Sequence, residues 1–208
     1  MGKIFLGGGG SDKDSYESHK LFYESLGTNK KVLYVPVAMN PNKYSWTDCM
    51  NWLNSALKEF GSVEINLLTM LKGLSADFIL QYDGIYVGGG NTFKLLQLIN
   101  ESGFGSLLKV FLESGGVYYG GSAGAIIMGK TIDTASHLDK NEVELKDYAG
   151  LNLANGFSLW PHFKKDEQSA IKVWRKMNTP VIGVGEDSAV MFKEGKCMAI
   201  GTNVVNFD

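Results

Sequence analysis

Four short stretches carry residues whose types and spacing could do chemistry. In "VYYGGSAGAIIMGKT", Val117 to Thr131, Ser122 has small residues on both sides: Gly120, Gly121, Ala123 and Gly124. An apolar run precedes it and a run able to start a helix follows. The hydroxyl therefore falls on a strand-to-helix turn, which crowds its central residue, and small neighbours relieve the crowding. Such a turn pushes the serine oxygen out at the carboxyl end of a sheet, the logic of a nucleophile elbow. Backbone N–H groups at the following helix start are free to stabilise an oxyanion. The same residues also fit a turn that only lets the backbone pass, or that binds a phosphate.

The second stretch, "YVGGGNTFKLL" (Tyr86–Leu96), repeats the strand, glycines and helix order. Three glycines in a row permit close approach of backbone to a substrate and expose N–H donors. Gly89 and Gly90, with Ala123 from the first turn, are the candidate oxyanion donors. Asn91 and Thr92 are candidate caps of the next helix and candidate substrate contacts. The spacing is not that of a GxGxxG dinucleotide fingerprint. A third glycine loop, "GGGGSDKD" (Gly7–Asp14), belongs at the same sheet edge, either lining the site or as a flexible loop.

A serine nucleophile needs a base, and three histidines are available. His19 sits in a helical segment and reads as a surface residue. His137 falls in a polar loop. His162, in "SLWPHFKK", follows Pro161 and is flanked by Trp160 and Phe163, which can hold the ring in one orientation, whether as a base or as a packed side chain. A third group should orient the imidazole. "GVGEDSAV" (Gly183–Val190) sets Glu186 and Asp187 on a turn after an apolar run, and Asp133 and Asp139 are rivals. Residue types alone leave the four open.

These loops need a scaffold. Apolar runs rich in β-branched and aromatic residues occur at 3–10, 31–38, 62–68, 84–90 and 116–124, most ending in glycine. Between them, segments 15–26, 46–60, 92–100 and 105–113 have helical spacing. The alternation predicts βαβ units and a mostly parallel sheet flanked by helices. Residues 179–207 read as short strands, with "KEGK" (Lys193–Lys196) as a hairpin turn, and are expected to add antiparallel strands to that sheet. Residues 133–150 form a long polar loop. No linker divides the chain, so one α/β domain over residues 1–208 is expected.

Composition excludes several classes. The 208 residues are 44% hydrophobic and 20% charged with a net charge of −2, and Arg175 is the only arginine. Nothing there calls for nucleic acid or an anionic membrane. Cys49 and Cys197 read as two buried thiols and not as a disulfide framework. No apolar run reaches the roughly 18 residues of a membrane span, and a cytoplasmic protein is expected. No cluster has metal-ligand spacing, and no cofactor is implied. Homo-oligomers are left open.

Taken in order, "YVGGGNTFKLL", "YYGGSAGAIIMG", "WPHF" and "GVGEDSAV" resemble the dipeptidase E and cyanophycinase family of serine peptidases, over most of the chain to about residue 190. The resemblance implies a class I glutamine amidotransferase-like α/β sandwich with Ser122 as nucleophile and His162 as base. In cyanophycinase-type members the acid corresponds to Glu186. In the aspartyl dipeptidases it is an Asp about fifteen residues after the serine, a position held here by His137. A Ser122–His162–Glu186 triad is therefore expected. Dipeptidase E-like members prefer an N-terminal aspartate, read by an arginine after the histidine. Here Lys164 and Lys165 stand in that segment, as less directional charges. The expected activity is hydrolysis of short peptides, with an acidic first residue as the implied preference. An amidase or acyl-transfer enzyme of the same fold, acting on a non-peptide amide, and a catalytically silent binding protein are the rivals.

Overall fold

Side chains alternate along a strand, so a strand buried on both faces splits its residues between two cores. That split is seen throughout the computed structural model, which describes residues 2–176 and 179–207, the side chains of 173–176, 206 and 207 excepted. Ile4, Leu6, Leu33, Val35, Ile85, Val87 and Tyr118 enter one core, and Phe5, Val32, Tyr34, Tyr86, Val117 and Tyr119 the other.

The chain runs β1 (Lys3–Gly7), α1 (Tyr16–Ser25), β2 (Lys31–Val35), α2 (Trp46–Lys58), β3 (Glu64–Leu67), α3 (Ala76–Ile79), β4 (Gly84–Val87), α4 (Thr92–Ser102), α5 (Phe104–Glu113), β5 (Val117–Gly121) and α6 (Ala123–Ile126). A 3₁₀ turn at Asp133–His137 leads to β6 (Ser158–Pro161). A second, at Lys165–Glu167, leads to α7 (Gln168–Lys176), β7 (Val181–Val184), β8 (Ala189–Lys193), β9 (Lys196–Ile200) and β10 (Val204–Phe207). The main sheet has the order β3-β2-β4-β5-β1-β8-β9. Its first five strands are parallel, and β8 and β9 are antiparallel. Helices α1 and α2 supply the aromatic core; α4, α5 and α6 supply the other. The result is the helix-flanked, mostly parallel sheet expected, with C-terminal antiparallel strands.

Three local expectations are corrected. Only β8 and β9 extend the main sheet. β7 and β10 join β6 in a separate sheet of order β10-β7-β6. There β7 has a strand on each side and is covered on both faces: Val181 packs with Phe163 and Ile171, while Ile182 and Val184 enter the large core. The hairpin at Glu194 and Gly195 is as expected, with φ of 51° and 77° at the two turn residues. His19 is fully buried, not at the surface. The buried stripe of α1 is Ser15, Ser18, His19, Phe22 and Leu26, at helical spacing, whereas Leu21 and Tyr16 are exposed. Cys49 is buried but Cys197 is exposed, because β9 is an edge strand.

Candidate active site

The β5–α6 turn carries the strain that its sequence implies. Ser122 has φ 49° and ψ −110°, a conformation a non-glycine residue adopts only when its surroundings enforce it. Its N–H donates to Gly7 O at 3.2 Å, tying the turn to the end of β1. The Cβ of an alanine at Gly124 would run into Val87 O, so the small residue after the serine is a packing requirement.

His162 arrives from the other sheet. It follows the last residue of β6 and also has positive φ, 55°. Its N–H donates to Gly8 O at 2.9 Å. The β1–α1 glycine loop thus holds the backbones of both residues, and it lines the site instead of hanging free. Ser122 Oγ lies 3.0 Å from His162 Nε2, and His162 Nδ1 lies 2.8 Å from Glu186 Oε1. An ionised carboxylate only accepts, so Nδ1 carries the hydrogen and Nε2 turns a lone pair to the serine hydroxyl. The Glu186 side chain is 57% exposed and that of His162 27%, so the pair is open to solvent.

The rival acids are occupied elsewhere. Asp187 accepts from Asn203 Nδ2 at 2.9 Å and from Ser188 Oγ at 3.0 Å. Asp133 accepts from Thr131 Oγ1 at 2.6 Å. Asp139 accepts from the N–H of Thr92 at 2.8 Å. His137 donates from Nδ1 to Thr134 O at 2.7 Å and stacks on Trp160 with centroids 4.1 Å apart. Burial pushes its pKa down.

A cavity of about 760 Å³ opens beside Ser122 and His162. Gly88, Gly89, Gly90 and Gly121 form one wall. A Cβ on Gly89 would stand 3.5 Å from that of Ser122. The N–H groups of Gly89, Gly90 and Ala123 have no acceptor among the described residues. Gly90, at φ 119°, packs against the carbonyl of Ala38, where no side chain fits.

The candidate substrate residues fall differently. Asn91 caps α4, accepting from Lys94 N at 3.0 Å, and donates from Nδ2 to Lys140 O at 2.8 Å. Thr92 is fully buried. Lys164 and Lys165 are exposed and do not line the cavity. The side chain of Arg175 lies outside the described residues. The lysine that does line the cavity is Lys43, in the β2–α2 loop with Asn40 and Tyr44. Sequence reasoning missed it. The only signal was the polar "MNPNKY" stretch following a buried strand. Among the described residues no group of histidine, cysteine or acidic side chains could hold a metal ion. No helix there is long and apolar enough to cross a membrane.

Comparison with known proteins agrees with this architecture. A crystal structure described as that of a peptidase E protein from Listeria monocytogenes superposes with a TM-score of 0.75 at 26% identity, covering 98% of this chain and all of that one. A peptidase E of Shewanella denitrificans is 32% identical over 204 residues, 90% of this chain and 82% of its own. An uncharacterized peptidase of Pasteurella multocida is 32% identical over 171 residues, 78% of each chain. The model of peptidase family S51 matches residues 4–200, through every loop just described. On that match the chain belongs to peptidase family S51 and is a serine-type peptidase.

Proposed function

We propose that the chain hydrolyses short peptides through Ser122, His162 and Glu186. The observation that carries this reading is the unbroken line of contacts from Ser122 Oγ through the imidazole to Glu186 Oε1, at a strained turn beside unpaired N–H groups. The Ser122 hydroxyl attacks the scissile carbonyl while Nε2 of His162 takes its proton. The carbonyl oxygen gains negative charge, and the N–H groups of Gly89 and Ala123 donate to it. Collapse breaks the C–N bond as Nε2 returns the proton to the leaving amine, leaving an acyl-serine. Water then repeats the sequence and frees the acid. Glu186 holds the tautomer and balances the imidazolium.

For an acidic first residue, Lys43 is the cation we assign to the substrate carboxylate, in place of Lys164 and Lys165. Labelling by a fluorophosphonate, with a dipeptide panel, tests the whole reading. Ser122→Ala should lose both labelling and turnover. Glu186→Gln should lower kcat by about a hundredfold or more. Lys43→Ala should weaken turnover of acidic dipeptides selectively. A Ser122→Ala protein that retains peptidase activity would sink the proposal.

A further inference from the structure

Behind the Ser122 turn the sheet carries one row of rings. The parallel register sets Tyr34 beside Tyr86, Tyr86 beside Tyr119 and Tyr119 beside Phe5. Residues level with one another on adjacent strands share a face. Tyr86 and Tyr119 stack with centroids 4.6 Å apart, and Tyr34 meets Tyr86 edge-on at 5.6 Å. All three tyrosines line the cavity that also holds Ser122 and His162, and Trp52 of α2 adds a further wall. At about 760 Å³ this space holds far more than a scissile amide.

Counting protons in that row leaves one unused. Ser18 Oγ donates to Ser15 O at 2.9 Å, so in its 2.9 Å contact with Tyr119 the tyrosine is the donor. Tyr86 Oη lies 3.0 Å from Nε2 of His19, whose Nδ1 is buried with no partner. A proton on Nδ1 would leave an N–H buried with nothing to accept it, which folded proteins rarely tolerate. With the proton on Nε2, His19 donates to Tyr86, and only a lone pair is left bare. The hydroxyl proton of Tyr86 then has no acceptor among the described residues. A Cβ added to Gly121 would meet nothing within 4 Å except Tyr86 Oη, at 3.8 Å. A methyl-sized gap therefore separates the serine turn from this hydroxyl, and Tyr86, although only 2% exposed, lines the cavity with Gly121 and Ser122.

We infer that this chamber is a specificity subsite of the peptidase, taking a substrate side chain next to the scissile bond that is a ring with a hydrogen-bond acceptor at its far end, such as tyrosine. The tyrosine and tryptophan faces cover the ring, and Tyr86 donates to the acceptor. The inference rests on the peptidase reading above.

The test uses peptides identical except for Tyr, Phe or Ala at either residue flanking the cleaved bond, with wild type, Tyr86→Phe and Trp52→Ala. Wild type should cleave the Tyr peptide about tenfold more efficiently than the Phe peptide, and both better than Ala. Tyr86→Phe should erase the Tyr-over-Phe preference while cleaving the Phe peptide within about threefold of wild type. Trp52→Ala should lower kcat/KM for both ring-bearing peptides and spare the Ala peptide. Fluorophosphonate labelling of Ser122 reports that each variant is folded at its centre. Wild type that treats Tyr, Phe and Ala alike overturns the inference, as does a Tyr-over-Phe ratio that survives in Tyr86→Phe. Either result with Ser122 still labelled and some peptide still cleaved leaves the peptidase reading standing. Loss of labelling and of all cleavage in wild type takes down both.

Discussion

A methyl group on Gly9 would stand 2.6 Å from His162 Nε2 and 2.8 Å from Ser122 Cβ, in the gap between the proposed nucleophile and its base. Gly9 also has φ 94°, where a side chain is strained regardless of space. The residue lies in a loop, so Gly9→Ala should fold, with a backbone penalty of about 1–2 kcal/mol. Its effect belongs to the chemistry. Displacing the imidazole by about 1 Å costs on the order of a hundredfold in rate. We expect kcat/KM to drop by at least that factor with the melting temperature only modestly lowered, measured by steady-state kinetics and thermal melting on one preparation. Full activity in Gly9→Ala would mean that the loop does not constrain the pair. At this scale the serine was legible, because its small neighbours are a local signature. The proposed acid was legible only through the family resemblance: by residue type Glu186, Asp187, Asp133 and Asp139 differ only in which long-range donors reach them, and no local pattern encodes Asn203 reaching Asp187 or Thr92 reaching Asp139.

Among the elements, the 133–150 loop is fastened to the start of α4. Asp139 accepts from the N–H of Thr92, and Lys140 O accepts from Asn91 Nδ2. Asp139 thus satisfies a first-turn N–H that the helix cannot satisfy itself. Asp139→Ala should behave as loss of a cap, destabilising by about 1 kcal/mol. Because Asp139 is engaged away from His162, kcat and its pH profile should stay near wild type, whereas Glu186→Gln should change both. Urea melts and a kcat profile for the two variants separate a structural carboxylate from an orienting one. Strands β1, β2, β4 and β5 were legible because both their faces are covered, which demands an unbroken apolar run. The second sheet was not. β6 is short and ends in Pro161, and β7 looks like any apolar run, so nothing nearby says that they pair with each other and not with β8. Yet this pairing sets the end of β6 beside the end of β1, where His162 N–H meets Gly8 O.

Burying an imidazole between α1, α2 and the sheet couples the stability of the molecule to acid. His19 packs against Trp52, Tyr86 and Tyr119, and burial pushes its pKa from 6.5 down to about 4, against the weaker pull of Asp12 in the other direction. The folded chain therefore refuses a proton that the unfolded chain binds between those values. Stability is whole above about pH 6.5 and falls as pH drops toward 4, by roughly 3 kcal/mol if this group acts alone. His137, also lowered by burial, slopes in the same sense. The carboxylates of Asp14 and Asp48, held below 3.8 by their serine partners, lose their contribution only at lower pH. The histidines can therefore be told apart from the acids by window, and from each other by substitution. Urea unfolding from pH 7 to pH 4 should show wild type weakening steeply, with His19→Gln less stable at pH 7 but much flatter below it, and His137→Gln keeping most of the wild-type slope. A wild-type slope that persists in His19→Gln would assign the acid sensitivity elsewhere. The sequence offered only a histidine in a helical segment with three apolar residues, Leu21, Phe22 and Leu26; the spacing from Ser15 to Leu26 carries the information once the polar members of the stripe are counted as core.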